Sequence, residues 1–147
     1  MRIGVLHGPN LNLLGAREPA HYGHRTLPDI ERMLRERAMK RSIELEFFQS
    51  NDEGALVDWV QSATARVDGW IVNAAGLTHS SVPLRDALAG SAKPFVEVHL
   101  SNVYAREPFR HRSMLSDLAI GVIAGFRGSS YLFGLEGLAE RLESDAD

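Results

Sequence analysis

Apolar and polar positions fall into blocks along this chain, and the blocks switch between two periods. Residues 2–7 (Arg2-Ile3-Gly4-Val5-Leu6-His7) form a short apolar run closed by Gly8-Pro9, which reads as a buried strand. Thr26, with Pro28 in the first turn and Asp29 three residues on, carries helix N-cap chemistry. Ile30, Met33, Leu34 and Ala38 then recur at helical spacing, predicting a helix to about Arg41. A second strand is predicted over 43–49. Ser50-Asn51-Asp52 opens a second helix with Leu56, Trp59, Val60 and Ala63 on one face. Residues 69–73 predict a third strand, and Ser81 with Pro83 begins a short helix through Leu84 and Leu88. A fourth strand is predicted over 93–99, a polar loop to about Ser113, a fifth strand over 120–124 and a closing helix over 131–142. Residues 143–147 are expected to form a solvated polar tail.

Alternation of short, mostly apolar strands with helices predicts an α/β fold, its parallel sheet covered on both faces. Five such units in 147 residues match a flavodoxin-like doubly wound sheet of five parallel strands, order 2-1-3-4-5. No internal repeat or linker interrupts the pattern, so residues 1–147 read as a single domain. The connection after the first strand is long, about 15–25, and is bounded by Gly15 and Gly23. Long ordered connections in compact domains usually act as lids or binding loops.

Composition narrows the function. A hydrophobic fraction of 44% supplies a core, while a net charge of -3 without a basic tract argues against nucleic acid as a partner. The chain has no cysteine, which removes disulfides and thiolate metal sites and fits a reducing, cytoplasmic setting. No charged-then-apolar leader follows Met1, so secretion is not expected. No apolar run approaches the roughly 20 residues that cross a bilayer, so no membrane association is expected.

Polar residues cluster where strands end, the place where open parallel sheets bind ligands. The first strand delivers Asn10, the third Asn73, and the fourth Glu97 and His99. Side chains alternate along a strand, so Phe95, Glu97 and His99 share one face. A carboxylate inside a central strand is costly to bury unless it is paired, and His99 is its natural partner. Such a pair can simply organise a strand end; Ser101, Asn102, Arg106 and Arg110 following at once favour a site. Ser80 or Ser81 reads as a helix cap rather than a nucleophile, His79 on local sequence reads more readily as an ordinary loop residue than a functional one, and Arg85 with Asp86 as a surface ion pair.

Other chemistries fit poorly. The sequence lacks a Gly-Lys-Ser/Thr phosphate loop, the glycine pattern of dinucleotide folds and a Gly-x-Ser-x-Gly elbow. Its histidines lack the close spacing of a zinc site. Lys40 and Lys93, its two lysines, lie away from the strand exits where a Schiff base would be needed. An acid–base site with no cofactor and no metal remains.

Four segments now carry a resemblance. These are Gly-Pro-Asn-Leu-Asn-Leu-Leu-Gly-x-Arg-Glu-Pro-x-x-Tyr-Gly over 8–23, Gln49-Ser50-Asn51-x-Glu53-Gly54, and Thr78-His79-x-Ser81-Val82-x-Leu84-Arg85-Asp86-Ala87. The fourth is Glu97-Val98-His99-Leu100-Ser101-Asn102-Val103-x-Ala105-Arg106-Glu107-x-Phe109-Arg110. Together they resemble the type II 3-dehydroquinate dehydratases over nearly the whole chain. The resemblance implies elimination of water from 3-dehydroquinate through an enolate, a step shared by aromatic biosynthesis and quinate breakdown. It implies Tyr22 as proton acceptor, His99 as proton donor tuned by Glu97, Arg17 as stabiliser of negative charge, and Asn10 as orienter of a water. Asn73, His79, Leu100, Ser101 and Arg110 would bind substrate. Asp86 would reach the site of an adjacent subunit in a homododecamer built as a tetramer of trimers. Arg106 would shape the lid or site.

Departures from the family pattern are modest. Leu77 stands where a ring contact is common, and Ser80, Tyr104, Pro108, Asp52 and the 126–130 turn also differ. They bear on affinity more than on turnover. The competing reading is a non-catalytic module that binds a cyclic hydroxy acid or an anion. A poised base and acid count against it, because binding alone needs neither.

Overall fold

The capping chemistry read at Thr26 sets the start of the first long helix in a computed structural model of the chain, which describes residues 1–16 and 18–146. Thr26 Oγ1 accepts the Asp29 N–H at 3.2 Å, and the Asp29 carboxylate accepts the Thr26 N–H at 3.0 Å. This reciprocal pair satisfies two otherwise unpartnered donors. The described strands are β1 (Arg2–His7), β2 (Glu44–Gln49), β3 (Gly69–Asn73), β4 (Phe95–His99) and β5 (Gly121–Ala124). The helices are α1 (Pro19–Tyr22), α2 (Leu27–Met39), α3 (Glu53–Ala63), α4 (Val82–Ser91) and α5 (Ser129–Ala146). Asp52 and Ser81 cap α3 and α4 through the N–H groups of Gly54 (2.8 Å) and Leu84 (3.0 Å).

All strand pairs are parallel, and the order is β2-β1-β3-β4-β5, the order the alternation predicts. Alternate side chains supply two separate cores. Ile3, Val5, Ile71, Val96 and Val98 pack beneath α2 and α5 with Ile30, Leu34, Leu135 and Leu138. Leu6, Trp70, Val72 and Phe95 face α3 and α4 with Leu56, Val60, Leu84 and Leu88. Every β-to-α connection leaves from the carboxyl end of the parallel sheet, and the polar strand ends meet there.

One expectation needs correction and two gain detail. Residues 143–146 are exposed, as expected of a polar tail, but they are helical: α5 continues to Ala146, and residue 147 lies outside the described residues. Arg41 grips the Glu143 carboxylate at 2.8 Å, and Arg141 holds Asp145 one turn on at 2.9 Å; i,i+4 ion pairs of this kind support a helix end. Arg85 does not pair with Asp86 but turns to the Asp117 carboxylate, 2.9 Å from Nη2. The connection over 15–25 contains α1, a single turn closed by Gly23. Gly15 and Gly23 have φ of 91° and 80°, values a side chain disfavours, so turn geometry alone accounts for both glycines.

Candidate active site at the strand exits

β1 and β3 are neighbours, with His7 opposite Asn73. The chain leaving β1 turns at Gly8, whose N–H donates to the Asn73 carbonyl at 2.7 Å. Gln49 Nε2 donates to the Gly8 carbonyl at 3.2 Å, and Asn51 Oδ1 accepts the Asn10 N–H at 2.9 Å. Those bonds hold Asn10 in the left-handed region (φ 68°), which asparagine tolerates better than most residues. A Cβ at Gly8 would lie 2.5 Å from the Ala74 carbonyl carbon and closer still to its oxygen. Gly8→Ala must therefore push two strand exits apart. It is expected to cost about 1–3 kcal/mol or more, read as a lower urea midpoint, together with lost turnover. An unchanged midpoint and rate would contradict this packing.

Asn10 and Asn73 line a cavity of about 140 Å³ with Tyr22, His79, His99 and Arg106. Leu100, Ser101 and Arg110 complete the wall from the β4 side. Glu97 stands behind His99 rather than in the wall. Glu97 Oε2 lies 3.1 Å from His99 Nε2 and accepts Ser116 Oγ–H at 2.7 Å, while Oε1 accepts Ser113 Oγ–H at 2.5 Å. Burial alone raises the Glu97 pKa, but the hydrogen bonds from His99, Ser113 and Ser116 and the His99 charge outweigh it. The carboxyl is held below the usual range and so ionised at neutral pH. It anchors Nε2–H of the imidazole.

His79 stacks near His99, ring centroids 6.5 Å apart. Its Nδ1 lies 2.8 Å from the Arg112 carbonyl, so Nδ1 carries the proton and Nε2 is left as an acceptor. Burial, then the positive charges of His99 and Arg110, lower the His79 pKa against the opposing pull of the Arg112 carbonyl and Glu97. Neutral His79 thus adds hydrogen-bonding capacity to the wall without competing for charge.

α1 adds Tyr22 to the same cavity. Arg106 Nη1 donates to the Tyr22 hydroxyl at 2.9 Å and to Ser101 Oγ at 3.3 Å, with the guanidinium 5.3 Å from the Tyr22 ring centroid. This places Arg106 at the centre of the site; its position inside the 97–110 motif was the available signal. Ser113 and Ser116 had no local signal at all. Arg110 is ion-paired with Glu107. Arg17 lies outside the described residues. Asp86 is not in this wall: it sits on α4 in a separate surface groove with Val57 and Gln61. Among the described residues, no group of three or more His, Asp or Glu side chains is placed to hold a metal ion, and no helix is long and apolar enough to cross a membrane.

A guanidinium-held phenol and an imidazole–carboxylate pair gathered at one cavity, at the exits of a doubly wound parallel sheet, are the kind of groups that an acid–base enzyme site needs. Comparison with known proteins agrees. The family model described as "Dehydroquinase class II" matches residues 1–139. The 3-dehydroquinate dehydratase of Synechococcus sp. (strain WH7803) is 57% identical over 97% of this chain and 97% of its own length. That of Vibrio vulnificus (strain YJ016) is 56% identical over 97% and 96%. The crystal structure of type II dehydroquinase from Butyrivibrio crossotus DSM 2876 superposes with a TM-score of 0.92 at 40% identity, covering 95% of this chain and 97% of that one. The chain belongs to the class II dehydroquinases, a family of hydro-lyases.

Proposed function

We propose that this enzyme removes water from 3-dehydroquinate to give 3-dehydroshikimate, with Tyr22 as base and His99 as acid. The observation that carries this reading is the lining of one cavity by two groups able to transfer protons, Tyr22 held by Arg106 and His99 held by Glu97. An ordinary tyrosine loses its proton only near pH 10, so a cation at its oxygen is what a phenolate base needs. Arg106 supplies that cation, and Arg17 is assigned the same task beside the developing enolate.

The phenolate takes the C2 proton, and the C–H electron pair moves into the enolate at the C3 oxygen. Asn10 and Asn73 hold a water that donates to this oxygen. The enolate then re-forms the ketone, the C1=C2 bond forms, and the C1–O bond breaks. The departing hydroxyl takes the His99 proton and leaves as water. Transfer of the Tyr22 proton back to His99 through solvent resets both groups. Leu100, through its backbone, and Ser101 receive the substrate carboxylate, while Asn73, His79 and Arg110 contact the ring hydroxyls. The positive side chains of Arg106 and Arg110 suit an anionic substrate.

Asp86 is assigned to the site of a neighbouring copy in a homododecamer. Its absence from its own chain's cavity wall supports that assignment. So does the apolar surface along the sheet edge, where Ile120, Val122, Phe126 and Phe133 are exposed on one chain. An ultraviolet progress curve on purified protein with 3-dehydroquinate and a chelator tests the reading. Rising absorbance from the conjugated enone carboxylate is expected, unaffected by the chelator. A flat trace from folded protein that still binds the ring acid would favour the non-catalytic module.

A further inference from the structure

The turn that carries Tyr22 gains little support from its own length. α1 is four residues long and is closed by Gly23 N–H donating to the Pro19 carbonyl at 2.8 Å. An isolated turn of this size is unstable, so contacts elsewhere must set where Tyr22 stands. Arg106 holds the hydroxyl end of that side chain. The backbone end meets a different segment, the 125–129 turn between β5 and α5, which the mechanism does not use.

Two arginines and two glycines interlock there. Gly23 and Gly128 are buried, although Arg25 and Arg127 are exposed. A Cβ built on Gly23 would lie 3.0 Å from Arg127 Cδ and 3.7 Å from its Cβ and Cγ, so the aliphatic stem of Arg127 lies against Gly23. In the other direction, a Cβ on Gly128 would lie 3.5 Å from Arg25 Cδ. Each arginine stem thus covers the glycine of the opposing segment, as long charged side chains do while keeping their heads in water. The 125–129 turn is itself tied to the exit of β4. Gly125 N–H donates to the His99 carbonyl at 3.3 Å, and Arg127 N–H to the Leu100 carbonyl at 2.8 Å. Through Arg127, one path runs from the backbone beside the acid to the foot of the base.

Arg127 adopts a strained backbone in this place. Its φ is 52°, in the left-handed region that glycine enters freely and other residues do not. Turn geometry alone would favour glycine, so the side chain must contribute something a glycine would not. Tyr22 also lines a second cavity of about 470 Å³ with Gly23, Phe126 and Arg127. Core side chains do not fill the space between the two segments, and the arginine stems make contact across it.

We infer that Arg127 is a positioning residue for Tyr22: its stem clasps Gly23 and fixes the α1 turn against the exit of β4, keeping the phenol oxygen within reach of Arg106. Without the stem, α1 is free to shift toward the second cavity and carry the phenol out of the first. The expected effect on rate rests on the dehydratase reading of the site; the effect on the α1 turn rests on packing alone.

The test is a pair of Arg127 variants compared with the parent in three readouts. These are steady-state kinetics with 3-dehydroquinate, the thermal midpoint, and chymotryptic cleavage after Tyr22 followed by mass. Arg127→Gly removes the stem and suits the left-handed backbone, so the thermal midpoint is expected to hold or rise. Its kcat/KM is expected to fall about tenfold as the competent arrangement becomes a minority. Cleavage after Tyr22 should quicken by roughly threefold or more, because proteolysis follows local opening. Arg127→Gln keeps Cβ, Cγ and Cδ without the charge, and is expected to stay within about threefold of the parent in kcat/KM and in cleavage. Equal rate losses in the two variants would make Arg127 an electrostatic guide for an anionic substrate and overturn the clasp. Parental kcat/KM and parental cleavage in Arg127→Gly would overturn it too, as would a rate loss that only follows a fallen thermal midpoint. An inactive parent protein would instead remove the dehydratase reading. The clasp would then stand or fall on cleavage alone, faster in Arg127→Gly than in Arg127→Gln if it is right and equal in both if it is wrong.

Discussion

Tyr22→Phe is expected to lower kcat on the order of 10²–10⁴-fold, the usual loss when a general base is removed, while the thermal midpoint stays close to that of the parent. The phenol ring packs partly against the α2/α5 core and lines the cavity, and phenylalanine preserves that ring. What disappears is one oxygen, together with the Arg106 contact it accepts. Stopped at this point, the reaction makes no enolate, so substrate incubated in D₂O should gain no deuterium at C2. A variant within tenfold of the parent would remove Tyr22 from the role of base.

His99→Ala is expected to fail at the opposite end of the same reaction, again by about 10²–10⁴-fold in kcat. Here the base is intact, so the enolate still forms and returns. Deuterium should enter C2 of recovered substrate while little product accumulates. Truncation also leaves the Glu97 carboxylate with Ser113 and Ser116 but without its imidazole partner, which costs stability as well as rate. His99→Gln separates the two effects: its amide can still donate to Glu97 but cannot supply an acidic proton. It should regain the thermal midpoint and stay slow. Rapid turnover by His99→Gln would assign the proton to another group.

Much of this architecture was readable because the information is local. A cap such as Thr26 with Asp29 involves residues three apart, and the alternation of Phe95, Glu97 and His99 is a property of any strand. Strand ends were read one or two residues long at Ile43, Lys93 and Ile120, since apolar periodicity does not record where ladder pairing stops. Other features depend on partners brought in by the fold. Glu97 meets Ser113 and Ser116, 16 and 19 residues along the chain, and His7 meets Tyr131 after 124; no spacing rule links such positions. Arg85 illustrates the converse. Its neighbour Asp86 is adjacent in sequence, but consecutive residues on a helix point in different directions, and Asp117 takes the bond.

The sheet also acts as a partition. Glu97 and His99 are serviced from the α3/α4 side, whereas His7 and Tyr131 pair with each other on the α2/α5 side, and the two sets share no hydrogen-bonded partner. The two helical layers therefore carry separate polar wiring, back to back. Sequence drift in one layer can adjust its own polar contacts and leave the other's untouched.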